Sequence, residues 1–292
     1  MNIDKRIDRR NFVKYAGFFS AGTLLLPSLT LKGKDDIGVQ LYTVRDLMGS
    51  DPKGTLEKIA KIGYRKVESA GYNEGLFYGM KPAEFKKTLK DLKLDLPSSH
   101  YMSGIATPDR KGTLTNGWEK AVDDAKAAGI KYMVLAYLTE EERKTLDDYK
   151  KVAEALNKAG EICKANDIRL AYHNHDFEFQ PIDGTIPYDL LLKEVAPELM
   201  DMELDLYWSV KAGHDPVKLF NENPERFPLW HVKDMDTAGN FSEVGTGTID
   251  FQTIFDNRKK AGLKHFFVEQ DVTVKPPLES IGISYKNVKE YI

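Results

Sequence analysis

The feature that most constrains the fold is a regular alternation of short apolar runs with longer segments of helical period. From Asp36 onward this alternation occurs eight times, and successive apolar runs start roughly 25 to 40 residues apart, about the size of one βα unit. Eight such units in about 260 residues predict an α/β fold, a single (β/α)8 TIM barrel over residues 32–292. The predicted strands are Ile37–Leu41, Arg65–Ser69, Leu94–His100, Lys131–Ala136, Arg169–His173, Met202–Asp205, Leu229–Lys233 and His265–Glu269.

Two of the predicted helices have clear sequence signals. Asp51 followed by Pro52 supplies an N-cap and a first-turn proline, and Gly63 marks the end of that helix. In the second helix, apolar residues recur at three- and four-residue steps from Tyr149 to Cys163, so Cys163 is interpreted as core packing. A doubly wound sheet is the main alternative fold. It would not naturally give eight units, and no glycine-rich dinucleotide or phosphate loop follows the first strand.

The first 31 residues resemble an export signal. Arg9 and Arg10, followed by Phe12 and Lys14, precede the fifteen residues 15–29, all of them uncharged, which is typical of a twin-arginine signal. The apolar run is shorter than the roughly 20 residues that a membrane span needs. We therefore expect a periplasmic protein without stable membrane insertion after processing, although an uncleaved N-terminal anchor remains the alternative because no clean cleavage site is visible.

Charge and cysteine content exclude several classes of function. The formal net charge is −3, and residues 1–31 hold five basic and two acidic residues, so the remaining chain carries −6. This balance argues against nucleic-acid binding. The single cysteine cannot form an internal disulfide or a thiolate zinc cluster. Any metal must therefore be held by His, Asp and Glu.

Polar residues gather at the carboxyl ends of the predicted strands, where TIM barrels carry their chemistry. Strands five to eight supply His173, Asp205, His231 and Glu269, and neighbouring strand ends lie about 5 Å apart. Each residue alone has an ordinary explanation as a hydrogen-bonding, capping or ion-pair residue. Four ligand-type residues on four consecutive strands instead predict one divalent metal ion. The mixed nitrogen and oxygen set favours Mn²⁺, Co²⁺, Zn²⁺ or Fe²⁺, with Mg²⁺ also possible.

Other strand-end residues are candidates for catalysis or for binding a sugar. Glu269 and His175 are the predicted acid/base groups, and Lys233 either contacts a substrate oxygen or forms an ion pair with Asp234. Glu203 points to the same side as Asp205 and is interpreted as the deeper, structural carboxylate. The predicted substrate contacts are Gln40, Tyr42, Glu68, His100 and Trp208, with Phe177 a further aromatic candidate; core packing or a structural histidine is the alternative for the aromatic residues and His100.

Seven segments in order resemble the sugar phosphate isomerase/epimerase superfamily, whose members are xylose-isomerase-like TIM barrels. The segments are VQLYTVRD (39–46), KVESAGY (66–72), LAYHNHDFEF (170–179), ELDLYW (203–208), WHVKD (230–234), VGTGTIDF (244–251) and FVEQD (267–271). The resemblance implies a divalent metal on Glu, Asp, His and Glu from strands five to eight. Asp205, His231 and Glu269 match the last three positions. His173 replaces the first Glu, which is similar to inosose dehydratases of this superfamily.

The resemblance implies a metal-dependent reaction of a sugar through an enediolate intermediate. A divalent ion polarises a carbonyl and acidifies the neighbouring C–H, and a base then removes the proton. We expect an isomerase or epimerase acting on a non-phosphorylated keto-sugar, since no basic cluster stands near strands seven and eight. A keto-sugar lyase, dehydratase or hydratase is the close alternative, because His173 disfavours a symmetric two-base reaction. A hydrolytic, endonuclease-like barrel is disfavoured by charge. A non-catalytic saccharide-binding barrel is the alternative of another class, and a homodimer is expected only by analogy.

Overall fold

Eight parallel strands close into a barrel in the order in which they occur along the chain, which confirms the predicted fold. The computed structural model describes residues 37–292, so the predicted export signal lies outside the described residues. We label the barrel strands β1 (Gly38–Gln40), β2 (Lys66–Ser69), β3 (Asp95–Tyr101), β4 (Tyr132–Leu135), β5 (Arg169–His173), β6 (Met200–Asp205), β7 (Leu229–Val232) and β8 (His265–Val268).

The helices lie between consecutive strands and begin and end where the sequence provides caps. Asp51 accepts a hydrogen bond from the Gly54 amide at 2.9 Å and so caps the helix that follows it. The same helix ends at Gly63, whose φ of 124° suits glycine. Thr145 caps the helix that buries Cys163. The helices are α1 (Arg45–Ser50), α2 (Pro52–Ile62), α3 (Pro82–Asp91), α4 (Trp118–Ala128), α5 (Leu146–Ala165), α6 (Pro187–Glu194), α7 (Leu206–Lys211), α8 (Pro216–Glu222), α9 (Phe251–Asp256), α10 (Arg258–Ala261) and α11 (Pro277–Val288).

Short additional elements lie on the loops that follow the strands. Two small antiparallel hairpins pair Tyr72–Asn73 with Leu76–Phe77 and Asp234–Met235 with Phe241–Ser242. Single 3₁₀ turns cover Leu41–Val44, Glu140–Glu142 and Phe177–Phe179. Among residues 37–292, no helix combines the length and the apolar character needed to cross a membrane.

The barrel interior contains a layer of apolar side chains, which we call the apolar plug, and a layer of polar side chains next to it. Val134, Ala171, Leu229 and Phe267 form a buried apolar cluster of their own. A Cβ on Gly38 would lie 2.5 Å from the Phe267 ring, so glycine lets that ring occupy the interior. Residues two positions after these plug residues point to the same side of their strands. For β5, β7 and β8 these are the predicted metal ligands.

Candidate active site

The four predicted ligands meet at the carboxyl end of the barrel. His173, Asp205, His231 and Glu269 are all buried, and one donor atom from each lies within 4.8 Å of the others. Asp205 has a double role, because its Oδ1 accepts from the Trp208 amide at 3.0 Å and so caps α7. Its Oδ2 faces the cluster. The structure thus brings together the four residues, and their role as metal ligands remains a prediction.

The hydrogen bonds around His173 fit a cation site. Its Nδ1 lies 3.1 Å from the Ala136 carbonyl oxygen, which can only accept, so Nδ1 carries a proton. Its Nε2 lies 3.2 Å from Asp205 Oδ2. A cation bound at this point would have both atoms as ligands, with the carbonyl oxygen of Ala136 fixing the orientation of the ring.

His231 is arranged in a similar way. Its Nε2 donates to Glu68 Oε2 at 2.6 Å. Its Nδ1 lies 2.6 Å from Glu269 Oε2, yet both atoms are buried without a hydrogen bond of acceptable geometry. Two buried atoms of ligand type meet at one point, and the Glu269 oxygen also faces the Lys233 ammonium at 2.8 Å, so both atoms fit the ligand set of a divalent ion. Burial alone would lower the pKa of His231, but Glu203, Glu269 and Glu68 raise it well above its usual value. A bound cation would replace the Nδ1 proton.

Lys233 supplies a fixed positive charge to the same site. Its Nζ lies 2.8 Å from each of Asp205 Oδ2, Glu269 Oε2 and Asp271 Oδ1. Burial would lower the pKa of Lys233, but these carboxylates raise it well above its usual value. The ion pair with Asp234, which was the alternative for Lys233, does not form, because Asp234 instead accepts backbone hydrogen bonds from the following loop.

A second buried cluster lies behind the first and shares His231. It consists of Glu68, His100, Glu203 and His231. His100 Nε2 lies 2.7 Å from Glu203 Oε2 and 3.3 Å from Glu68 Oε2. Burial would lower the pKa of His100, but Glu68 and Glu203 raise it to about 9. Two carboxylates and two imidazolium groups balance in charge, so this cluster needs no ion to be stable inside the barrel.

A cavity of about 500 Å³ opens over the first cluster. His173, Glu269 and Lys233 form part of its lining, together with the predicted residues Tyr42, His100 and His175. Gln40, Glu68 and Trp208 are not among the lining residues. Gln40 donates to Glu68 Oε2 at 2.7 Å, so this buried pair supports His231 from behind.

His175 stands at the cavity in an aromatic environment. Its ring stacks on Phe177 with an interplanar angle of 4° and meets Tyr137 edge to face at 5.1 Å. Trp208 lies behind it, with ring centroids 5.5 Å apart. Burial, and then the positive charges of His173 and Lys233, lower the pKa of His175 well below its usual value. The imidazole is therefore neutral and able to accept a proton.

Asp271 and Tyr137 line the cavity and were not predicted as site residues. Burial and the neighbouring Glu269 and Asp205 carboxylates raise the pKa of Asp271 despite the opposing charge of Lys233. The FVEQD segment could have identified Asp271, because Asp271 follows Glu269 by two residues at the same strand end and so points to the same side. Tyr137 follows β4, whose carboxyl end carries few polar residues, so no feature of the sequence pointed to it.

Comparison with known proteins identifies the class. The sequence profile of the family described as "Xylose isomerase-like TIM barrel" matches residues 56–280, and the chain belongs to that family. This confirms the predicted resemblance.

Individual relatives are described as dehydratases or as an isomerase/epimerase. Inosose dehydratase from Geobacillus thermodenitrificans is 26% identical over 156 residues, which cover 46% of this chain and 52% of that protein. Inosose dehydratase from Geobacillus kaustophilus is 24% identical over 277 residues, or 81% of this chain and 85% of that protein. A crystal structure described as a sugar phosphate isomerase/epimerase from Parabacteroides distasonis matches with a TM-score of 0.76 and 29% identity, covering 89% of this chain and 95% of that one. The first of these alignments spans only about half of the relative's length.

Proposed function

We propose that this protein is a divalent-metal-dependent lyase of a keto-sugar, in which removal of a proton beside the carbonyl starts an elimination. One observation carries the proposal. His231 Nδ1 and Glu269 Oε2 lie 2.6 Å apart and form a buried group of ligand-type atoms with His173 and Asp205, beneath the cavity. These four side chains would hold the ion. When bound, the ion would polarise the substrate carbonyl and stabilise the enediolate.

The protein's own residues supply the proton transfers. The neutral imidazole of His175 would accept the proton from the carbon beside the carbonyl. The electron pair then expels an oxygen substituent from the next carbon. Asp271 in its protonated form, which its raised pKa favours, would give its proton to that leaving oxygen, so that water or an alcohol departs and no oxidant is needed. Lys233 would hold Glu269 and Asp271 in place throughout.

Elimination is favoured over isomerisation, which was the first expectation from the sequence. The two acid/base groups differ in kind, because one is a neutral imidazole and the other a carboxyl group. Such a pair suits a reaction in which one group removes a proton and the other donates one. Two similar proteins are inosose dehydratases, and this too supports elimination. Isomerisation or epimerisation is the second candidate, supported by the description of the Parabacteroides distasonis protein.

The proposal is tested with protein loaded with Mn²⁺ and incubated with inosose or D-fructose in D₂O. We expect loss of water from a keto-sugar, detected by mass spectrometry, and its abolition in His231→Ala and Glu269→Gln. His214→Ala is the matched control, because this histidine packs on Phe179 outside both clusters. Deuterium uptake without loss of water would favour the isomerase. Full turnover in either site variant, or binding without any proton exchange, would remove the proposed mechanism.

A further inference from the structure

The exposed large apolar side chains of the described chain share one face of the barrel. Each follows the carboxyl end of a strand, namely β1, β2, β4 or β8, so all lie on the face that carries the cavity. Single exposed apolar residues are ordinary, but their concentration on one face of the barrel is a feature of binding surfaces. Within residues 37–292 these side chains are Tyr42, Leu76, Tyr137, Val272 and Val274.

Two of these side chains also line the cavity itself. Tyr42 and Tyr137 are 43% and 37% exposed, while the ligand-type residues below them are buried. They follow β1 and β4, which are three strand positions apart around the ring of eight. The cavity therefore has a polar floor and aromatic sides near its mouth.

Neighbouring side chains hold both tyrosines in place. The Arg45 guanidinium lies 4.3 Å from the centre of the Tyr42 ring and donates to the carbonyl oxygens of Tyr42 and Asp271. The Tyr137 ring contacts His175 at 5.1 Å and Phe177 at 5.7 Å. Rings fixed in this way lose little conformational freedom when a flat ligand stacks on them.

The size of the cavity agrees with a ligand larger than one sugar. Its volume of about 500 Å³ falls among cavities of about 300–1,000 Å³, which enclose drug-sized ligands. A cavity of this volume has room for a second ring beside a keto-sugar held over the metal ligands.

We propose that the substrate has two rings, a keto-sugar on the polar floor and a second ring, saccharide or aromatic, between Tyr42 and Tyr137. A sugar ring presents C–H groups on its faces and an aromatic ring presents its π-face, and both stack on tyrosine. The proposal rests on the proposed function for the placement of the first ring. It goes further by assigning an oligosaccharide or glycoside rather than a monosaccharide, and by giving Tyr137 the role of a specificity-determining residue.

Binding of three glucosides, measured by isothermal titration calorimetry, tests this assignment. Methyl β-D-glucoside has one ring, whereas cellobiose and 4-nitrophenyl β-D-glucoside have two. We expect at least one two-ring probe to bind about tenfold more tightly than methyl β-D-glucoside. Tyr42→Ala and Tyr137→Ala should each remove most of this preference. Preference for cellobiose alone would assign a second sugar, and preference for the nitrophenyl compound alone an aromatic group.

The control variant is Leu76→Ala, an exposed apolar residue on the same face that does not line the cavity. It should keep the full preference. Equal affinity for all three probes, no binding of either two-ring probe, or an unchanged preference in Tyr137→Ala would overturn the proposal. The proposed function fails separately: a protein that prefers two-ring probes but shows no metal-dependent proton exchange would retain the subsite and lose the lyase mechanism.

Discussion

At the scale of single residues, Lys233 decides the charge balance of the candidate site. Three carboxylates, Asp205, Glu269 and Asp271, each lie 2.8 Å from its ammonium nitrogen. A buried cation of this kind offsets their mutual repulsion, but it also competes for the oxygens that a metal would use. Its effects on stability and on metal affinity should therefore have opposite signs.

Replacing Lys233 separates these two effects. In the presence of EDTA, Lys233→Met should lower the free energy of unfolding by about 3–5 kcal/mol, because it leaves buried carboxylates without their partner. Mn²⁺ should then stabilise this variant more than the wild type. Urea unfolding with and without Mn²⁺ measures both quantities. Lys150→Met, which breaks an exposed ion pair with Asp147, should cost less than about 1 kcal/mol. A Lys233→Met protein as stable as wild type in EDTA would contradict this account of the site.

Glu178 gives a prediction about pH. Its carboxylate accepts from the Tyr172 hydroxyl at 2.7 Å and from the His175 amide at 2.8 Å, but burial raises its pKa to about 8 from an ordinary 4.5. The folded state therefore holds a proton that the unfolded state releases, and stability present below pH 4.5 is lost as the pH rises to about 8. Glu178→Gln should gain on the wild type by at most about 1.4 kcal/mol per pH unit in that interval.

Denaturant unfolding at several pH values between 5 and 9 checks the sign for Glu178. The exposed Glu154→Gln variant serves as control and should follow the wild-type curve. A Glu178→Gln variant whose relative stability stays constant over this range would show that Glu178 does not titrate on folding.

At the scale of elements, the connection between β7 and α9 depends on one carboxylate. Asp234 accepts from the amides of Gly245 and Gly247 at 2.9 Å and of Ile249 at 3.2 Å. The sequence left open whether the VGTGTIDF segment covers the site or turns into a helix. It forms a turn before α9, and its residues do not line the cavity.

Close packing around Asp234 makes this turn sensitive to Gly247. A Cβ at this position would lie 2.3 Å from Asp234 Oδ1 and 2.4 Å from the Met235 carbonyl oxygen. Gly247→Ala should therefore expel the carboxylate, cost about 1–3 kcal/mol for each buried group left unpaired, and expose the amides of Gly245 and Ile249 to exchange. Hydrogen exchange by NMR would detect this. Gly239→Ala is the control, because a Cβ there meets no atom within 4 Å, although its φ of 83° adds some strain. Unchanged protection in Gly247→Ala would contradict the role of Asp234.

At the scale of the whole molecule, the order of the strands could be predicted because it follows from periodicity, and the convergence of His173, Asp205, His231 and Glu269 follows from the order. Two kinds of feature could not be predicted: the direction in which a side chain points from its strand, and the contacts between loops that are distant in the sequence. For Lys233 the sequence left a substrate contact and an ion pair with Asp234 open, and the structure pairs it with neither Asp234 nor any residue that the sequence suggested as its partner. Glu142 shows the second limit: it accepts from Ser103 and from the amides of Ala106 and Thr139, and so joins the loops after β3 and β4. Nothing in the sequence pairs those positions.

The barrel should remain folded when divalent ions are removed, because its second cluster balances two carboxylates with His100 and His231 and its apolar plug does not involve the metal ligands. Mn²⁺ at a hundredfold excess over its Kd should add about 2.7 kcal/mol by binding only the folded state. For a domain of this size that is a rise in Tm of about 5–11 °C. Calorimetry of EDTA-treated and Mn²⁺-loaded protein, with elemental analysis, measures the shift and the metal content together. His173→Ala and His231→Ala should lose both, while His214→Ala keeps them. A shift of equal size in His173→Ala would place the ion elsewhere and remove the proposed ligand set.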